Sequence, residues 1–125
     1  METHISWIFL AGDRVYKVKK PVDFGFLDYS TLGRRKHFCH EEVRLNSRLC
    51  PEAYIGVEKI VATPQGLEVG GTGRAVEYAV VMRRLPARRM LDYLIRKGQV
   101  GEALVERVAQ RIATFHANAD RSPEI

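Results

Sequence analysis

Apolar and polar residues alternate in short runs over the first part of the chain. Ile5-Ser6-Trp7-Ile8-Phe9-Leu10 and Arg14-Val15-Tyr16-Lys17-Val18-Lys19 flank Ala11-Gly12-Asp13, which predicts a β-hairpin turning at the Gly-Asp pair. Pro21 has no amide hydrogen to give to a ladder and ends the second strand, so residues 23–30, with Gly25, read as a loop. Ser30 or Thr31 can then cap a helix that runs to about Leu49, stopped by Pro51. Stepping about 100° per residue from Phe38 brings Phe38, Leu45 and Leu49 within about 40° of one another as an inward stripe. Glu42 falls about 20° from Leu49, inside that stripe, whereas Glu41 lies about 60° from Phe38 on the opposite flank. One carboxylate is therefore expected to face the core.

Residues 56–63 and 75–82 are two further β-rich runs, and the glycine-bearing stretch 64–73 between them reads as a long hairpin connection. The expected sheet has about four antiparallel strands. Beyond Leu85-Pro86 a short helical run over 89–94 closes at Gly98, and a longer helix extends from Glu102 to about Asn118. Its inward stripe is Leu104, Val108, Ile112 and Phe115, and Ser122-Pro123 ends it. Hairpin, helix, hairpin, linker and two helices make an α+β arrangement.

Composition narrows the partners more than the fold. A chain of 125 residues, 46% hydrophobic, suits one domain with a real core. Twenty Lys+Arg against fifteen Asp+Glu leave +5, a balance that favours an anionic partner and equally serves solubility. The basic residues sit in short groups, Arg34-Arg35-Lys36, Arg83-Arg84 and Arg88-Arg89, and not in a polybasic arm. Cys39 and Cys50 have no paired spacing, so neither a disulfide framework nor a zinc site is indicated, and a reducing cytoplasm fits. The apolar run 5–11 is broken by Ser6 and has no basic leader, so neither a signal peptide nor a membrane span is expected.

The second strand alternates its side chains, which puts Val15, Lys17 and Lys19 on one face. A buried Glu42 without a partner would cost several kcal/mol, and a lysine from the adjoining strand is the natural remedy. Periodicity leaves Lys17 and Lys19 both open. His4, His37 and His40 show no ligand spacing, so no metal site is assigned, and His116 reads as structural.

A strand lysine, a glutamate on the next helix, another hairpin and a linker into helices is the order of the amino-terminal lobe of protein-kinase-like folds, where that lysine holds nucleotide phosphates. Residues 3–21 together with Phe26-Leu27-Asp28-Tyr29-Ser30-Thr31-Leu32 look like the aminoglycoside phosphotransferases and their relatives, in particular a bacterial subgroup often fused to a P-loop ATPase or gluconate-kinase-like domain. The resemblance implies a kinase-like lobe over residues 1–86, incomplete at its start, and the first helices of a second lobe over 87–125. It gives Lys17 the role of phosphate-holding lysine, with Lys19 as the fallback, and Glu42 the role of orienting it. Backbone groups at Arg83 and Leu85 would hold adenine, and Thr114-Phe115-His116-Ala117 is similar to the end of the second lobe's first long helix. The implied cofactor is ATP, with Mg2+ only in a full-length protein, and the implied acceptor is a hydroxylated small molecule.

No catalytic residue is assigned, because neither His-Gly-Asp nor Asp-x-x-x-x-Asn occurs. Asp23-Phe24-Gly25 spells a magnesium motif, but directly after the lysine strand it reads as a turn. Gly70-Gly71-Thr72-Gly73 lacks a following Gly-Lys-Ser/Thr and reads as a hairpin tip. The expectation is thus a partial ATP-dependent phosphotransferase, cytoplasmic, without its catalytic loop. The alternative is a non-catalytic binding module that self-associates through apolar surface around Met82, Leu85, Met90 and Leu91. Nucleic-acid binding by the basic groups is the weakest reading, since no recognition motif accompanies them.

Overall fold

A computed structural model describes residues 1–119. Strand β1 (Ser6–Ala11) pairs antiparallel with β2 (Arg14–Lys19) across Gly12-Asp13. Gly12 takes φ +62° and Asp13 does not have a positive φ. Positive φ at the first central position alone is the II′ pattern, whose twist matches that of the strands it joins. Helix α1 (Leu32–Asn46) starts on Thr31, whose side chain accepts a 3.2 Å hydrogen bond from the Arg34 amide. It stops at Asn46, short of Leu49, because the Asn46 carbonyl accepts from both Leu49 and Cys50 in a tight turn before Pro51.

Strands β3 (Tyr54–Thr63), β4 (Gly66–Val69) and β5 (Ala75–Arg83) complete an antiparallel five-stranded sheet in the order β1-β2-β5-β3-β4. The expectation of about four strands fell short by β4, which lies inside the presumed connection. Thr63 pairs with Gly66, leaving Pro64-Gln65 as a two-residue turn, and the Thr63 hydroxyl donates to the Gly66 carbonyl at 2.9 Å. Gly66 sits at φ +126°, which only glycine tolerates without strain. The alternation Leu67-Glu68-Val69 that follows is a strand signal too short to stand out from its glycine-rich surroundings.

The core lies around the central strand. Ala79, Val80 and Val81 of β5 are buried, together with Val18, Tyr29, Cys39, Ala53 and Val61. Helix α1 lies against β5 and β3, but not through the stripe expected of it: Phe38 and Leu45 are each 36% exposed and Leu49 39%. Of its six residues that are not exposed, Leu32, Arg35, Cys39, Glu42 and Val43 form an inward arc of about 100° centred about a quarter-turn from Phe38, and Glu41 lies outside that arc. Two of those five are charged. The facing strands carry their countercharges, so ion pairing and not apolar periodicity sets the helix rotation.

The chain divides into two compact units, Met1–Arg84 and Leu85–Ile125. In the second, a 3₁₀ turn (Ala87–Arg89) precedes α2 (Leu91–Arg96), closed at Gly98 with φ +64°, and α3 (Glu102–Asn118) follows. Leu104, Val108, Ile112 and Phe115 do share one stripe of α3, yet no residue of that helix is buried, and Val108 and Ile112 are 49% and 45% exposed. The helix end expected at Ser122-Pro123 lies outside the described residues. Among the described residues no helix is long and apolar enough to cross a membrane.

The cap of α1 gives a direct stability test. Thr31→Ala should destabilise the chain by about 1 kcal/mol in urea unfolding, and Thr31→Ser should restore most of that loss.

Candidate functional site

The site is built by a period-2 strand facing a helix. β2 places Lys17 and Lys19 on the same face, and one residue of α1, Glu42, reaches both. Lys17 Nζ donates to Glu42 Oε2 at 3.0 Å and Lys19 Nζ to Glu42 Oε1 at 2.9 Å. Sequence reasoning left the two lysines as alternatives; the carboxylate uses one oxygen for each. Their environments differ. The Lys19 side chain is 4% exposed, Glu42 15% and Lys17 28%.

Lys19 is enclosed further by Tyr29, whose ring centroid lies 4.9 Å from its Nζ. Tyr29 in turn stacks at a tilt on Phe38, and its carbonyl accepts from Arg35 Nη1 at 2.9 Å. Arg35 Nε also bonds Glu77 of β5, with both carboxylate oxygens at 3.1 Å. Arg35 and Glu42, two turns apart on α1, thereby fix the helix to β5 and β2 and clamp the loop that carries Tyr29. Tyr29, Arg35 and Glu77 were not singled out from sequence. Tyr29 sits in a loop with no period, and Arg35 was visible only as part of a basic group.

The electrostatics follow from partial burial. For Glu42, burial works to raise the pKa, but the hydrogen bond and charge of Lys19, then those of Lys17, outweigh it and hold the carboxyl below its ordinary 4.5. For Lys19, burial works to lower the pKa, and the Glu42 bond and charge, helped by Tyr29 and Cys39, carry it above the ordinary 10.5. Burial is also the main reason that the thiol of Cys39, on the inner face of α1, is pushed up to about 11, which keeps it protonated and unreactive at neutral pH. Two ammonium groups against one carboxylate leave the cluster with a surplus positive charge.

That surplus borders a cavity of about 510 Å³ lined by Lys17, Lys19, Glu42 and Tyr29 together with Thr3 and His4 ahead of β1 and Ser6 and Ile8 within it. The more exposed lysine, Lys17, is the one best placed to meet an incoming anion. The remaining expected site residues lie elsewhere. Arg83 ends β5, opposite Arg14, and its amide donates to the Ala53 carbonyl at 2.8 Å; the Arg84 amide donates to the Asp13 carbonyl at 2.7 Å. Leu85 begins the second unit and is 47% exposed. The Asp23-Phe24-Gly25 segment is a turn, with the Gly25 amide bonded to Asp23 Oδ1 at 2.9 Å. Among the described residues no cluster of His, Cys, Asp and Glu is arranged to hold a metal ion.

The relatives found for this chain are mycobacterial. It is similar to uncharacterized proteins of Mycobacterium tuberculosis and Mycobacterium bovis, with 37% identity over 121 residues, 97% of this chain and 23% of each relative. The chain therefore spans about a quarter of the length of the curated relatives it matches. No family model matches it, and no solved structure matches it significantly.

The charge cluster makes stability depend on pH at both ends. A carboxyl held below 4.5 stabilises the fold above that pH and ceases to as pH falls through its lowered value; a lysine held above 10.5 stabilises below that pH and ceases to as pH rises through its raised value. Glu42→Gln should therefore flatten the acid limb of a melting-temperature profile, whereas Glu41→Gln, on the solvent side of α1, should leave most of that limb in place. Glu42→Ala, which strands two lysines, should cost about 3–5 kcal/mol in urea unfolding.

Proposed function

We propose that this chain is the nucleotide-holding part of an ATP-dependent small-molecule phosphotransferase of the aminoglycoside-phosphotransferase type, a kinase-like lobe with the opening helices of a second one. The observation that carries the reading is the bridge from Lys17 and Lys19 of β2 to Glu42 of α1. A strand lysine held by a helix glutamate is the arrangement that presents an ammonium group to nucleotide phosphates in this fold. The element order supports the same reading, since the lysine strand is followed by the glutamate helix, a hairpin and a helical unit.

The residues suit the group they would hold. Lys17 faces the cavity and would meet the phosphates; Glu42 orients it; Lys19, buried against Tyr29, keeps Glu42 in place. With the Arg83 and Arg84 amides engaged inside the first unit, the adenine edge falls to Leu85 and the carbonyl of Arg83. ATP would supply the transferable phosphoryl group and Mg2+ its charge neutralisation, but the aspartates that position acceptor and metal are not in this chain in the required pattern. The transfer step and its hydroxylated acceptor belong to a longer protein.

A second reading has one observation in its favour. Leu85, Met90 and Leu91 of the second unit are 47%, 42% and 59% exposed, while Met82 is only half-buried; such apolar surface suits a non-catalytic module that associates with itself.

Titration with a non-hydrolysable ATP analogue separates the two. The wild-type chain should bind it saturably, and Lys17→Ala should weaken binding about tenfold or more, the loss of one charge-assisted contact. Negligible binding by both proteins, together with a concentration-dependent dimer in sedimentation, would favour the self-association module instead.

A further inference from the structure

A second cavity, of about 430 Å³, is lined by Asp13, Arg14, Ile55, Arg83 and Arg84. It shares no residue with the Lys17–Glu42 cavity. Arg14 is three positions before Lys17 on β2 and so projects from the other face of the sheet. Arg14 opens β2 and Arg83 closes β5, and the two are direct cross-strand partners. They are the only like-charged pair in the strand registers of the sheet, and like charges so placed repel. Arg84 is held beside them by the hydrogen bond that its amide donates to the Asp13 carbonyl at 2.7 Å.

Among the described residues no ion pair involves Arg14, Arg83, Arg84 or Asp13, although Arg34, Arg35, Arg44 and Arg96 each have a carboxylate partner. Three guanidinium groups against the one Asp13 carboxylate leave the cavity at +2. Ile55 supplies an apolar wall. It stands at the register shift between Tyr54 and Gly56, and a bulge of that kind redirects a side chain that regular pairing would place elsewhere.

We propose that Arg14, Arg83 and Arg84 form a binding site for a phosphate-class oxyanion on the sheet face opposite Glu42. Guanidinium forks match the paired oxygens of such an anion, which a lone carboxylate could engage at only one arginine. A polyvalent oxyanion would convert the repulsion between Arg14 and Arg83 into shared attraction.

The test is titration of the 125-residue chain with inorganic pyrophosphate, followed by amide chemical shifts and by melting temperature. Saturable shifts at Gly12 to Arg14, Ile55, Arg83 and Arg84, with a rise in melting temperature, are expected. The double variant Arg14→Gln/Arg83→Gln should bind about tenfold or more weakly while melting no lower than wild type without ligand, because the repulsion is gone. Arg84→Gln, which lies outside the ladder, should weaken binding in the same direction, and Arg96→Gln should not. Absence of saturable binding, shifts confined to Lys17, Lys19 and Glu42, or unchanged affinity in both the double variant and Arg84→Gln would overturn the proposal.

Discussion

A single carboxylate shared by two lysines governs how the first unit is put together. Glu42 is mostly withdrawn from water, and a charge in that position is tolerated only when its lone pairs are met. Lys17 and Lys19 meet one oxygen each, which requires β2 to present both on the same face and α1 to turn Glu42 toward them. The rotation of α1 follows from this requirement. Once Glu42 is directed at β2, Arg35 two turns earlier points at Glu77 of β5, Cys39 falls between them into the core, and Phe38 and Leu45 are carried out toward the surface. The helix is seated by its charges, and the one fully buried residue it contributes to the core is the small Cys39.

The same arrangement divides labour between the lysines. Lys19, the more buried of the two and covered by Tyr29, secures the glutamate; Lys17 keeps part of its surface open to the cavity. A charge cluster with a surplus positive charge, one face fixed and one accessible, is suited to an anionic ligand without being rebuilt when the ligand arrives. The nucleotide reading rests on that asymmetry.

Much of this was legible in the sequence, for reasons that can be stated residue by residue. The Gly12-Asp13 turn, the Thr31 cap, the central strand and the span of α3 follow from local chemistry, and local chemistry is what periodicity and turn signals report. Glu42 was picked out over Glu41 correctly, but through a stripe that proved to be half-exposed; it lay on the margin shared by the expected apolar face and the true charged one. β4 was hidden because four residues between glycines carry too little alternation to be distinguished from a loop. Tyr29, Arg35 and Glu77 were hidden for a different reason. Their roles come from neighbours distant in sequence, and no local pattern encodes a pairing between residues 35 and 77. In α3 the stripe was read correctly and its burial was not, since a stripe shows which face is apolar and not what covers it.

The most direct measurement of the central claim is a pair of double-mutant cycles in urea unfolding, coupling Glu42→Gln with Lys19→Met and with Lys17→Met. Both pairs should couple, within the roughly 0.5–3 kcal/mol range of contacting groups, and the Glu42–Lys19 coupling should be the larger because that pair is the more desolvated. Coupling near zero for both pairs, or a larger value for Lys17, would contradict the assignment of Lys19 as the anchor and Glu42 as the residue on which the seating of α1 depends.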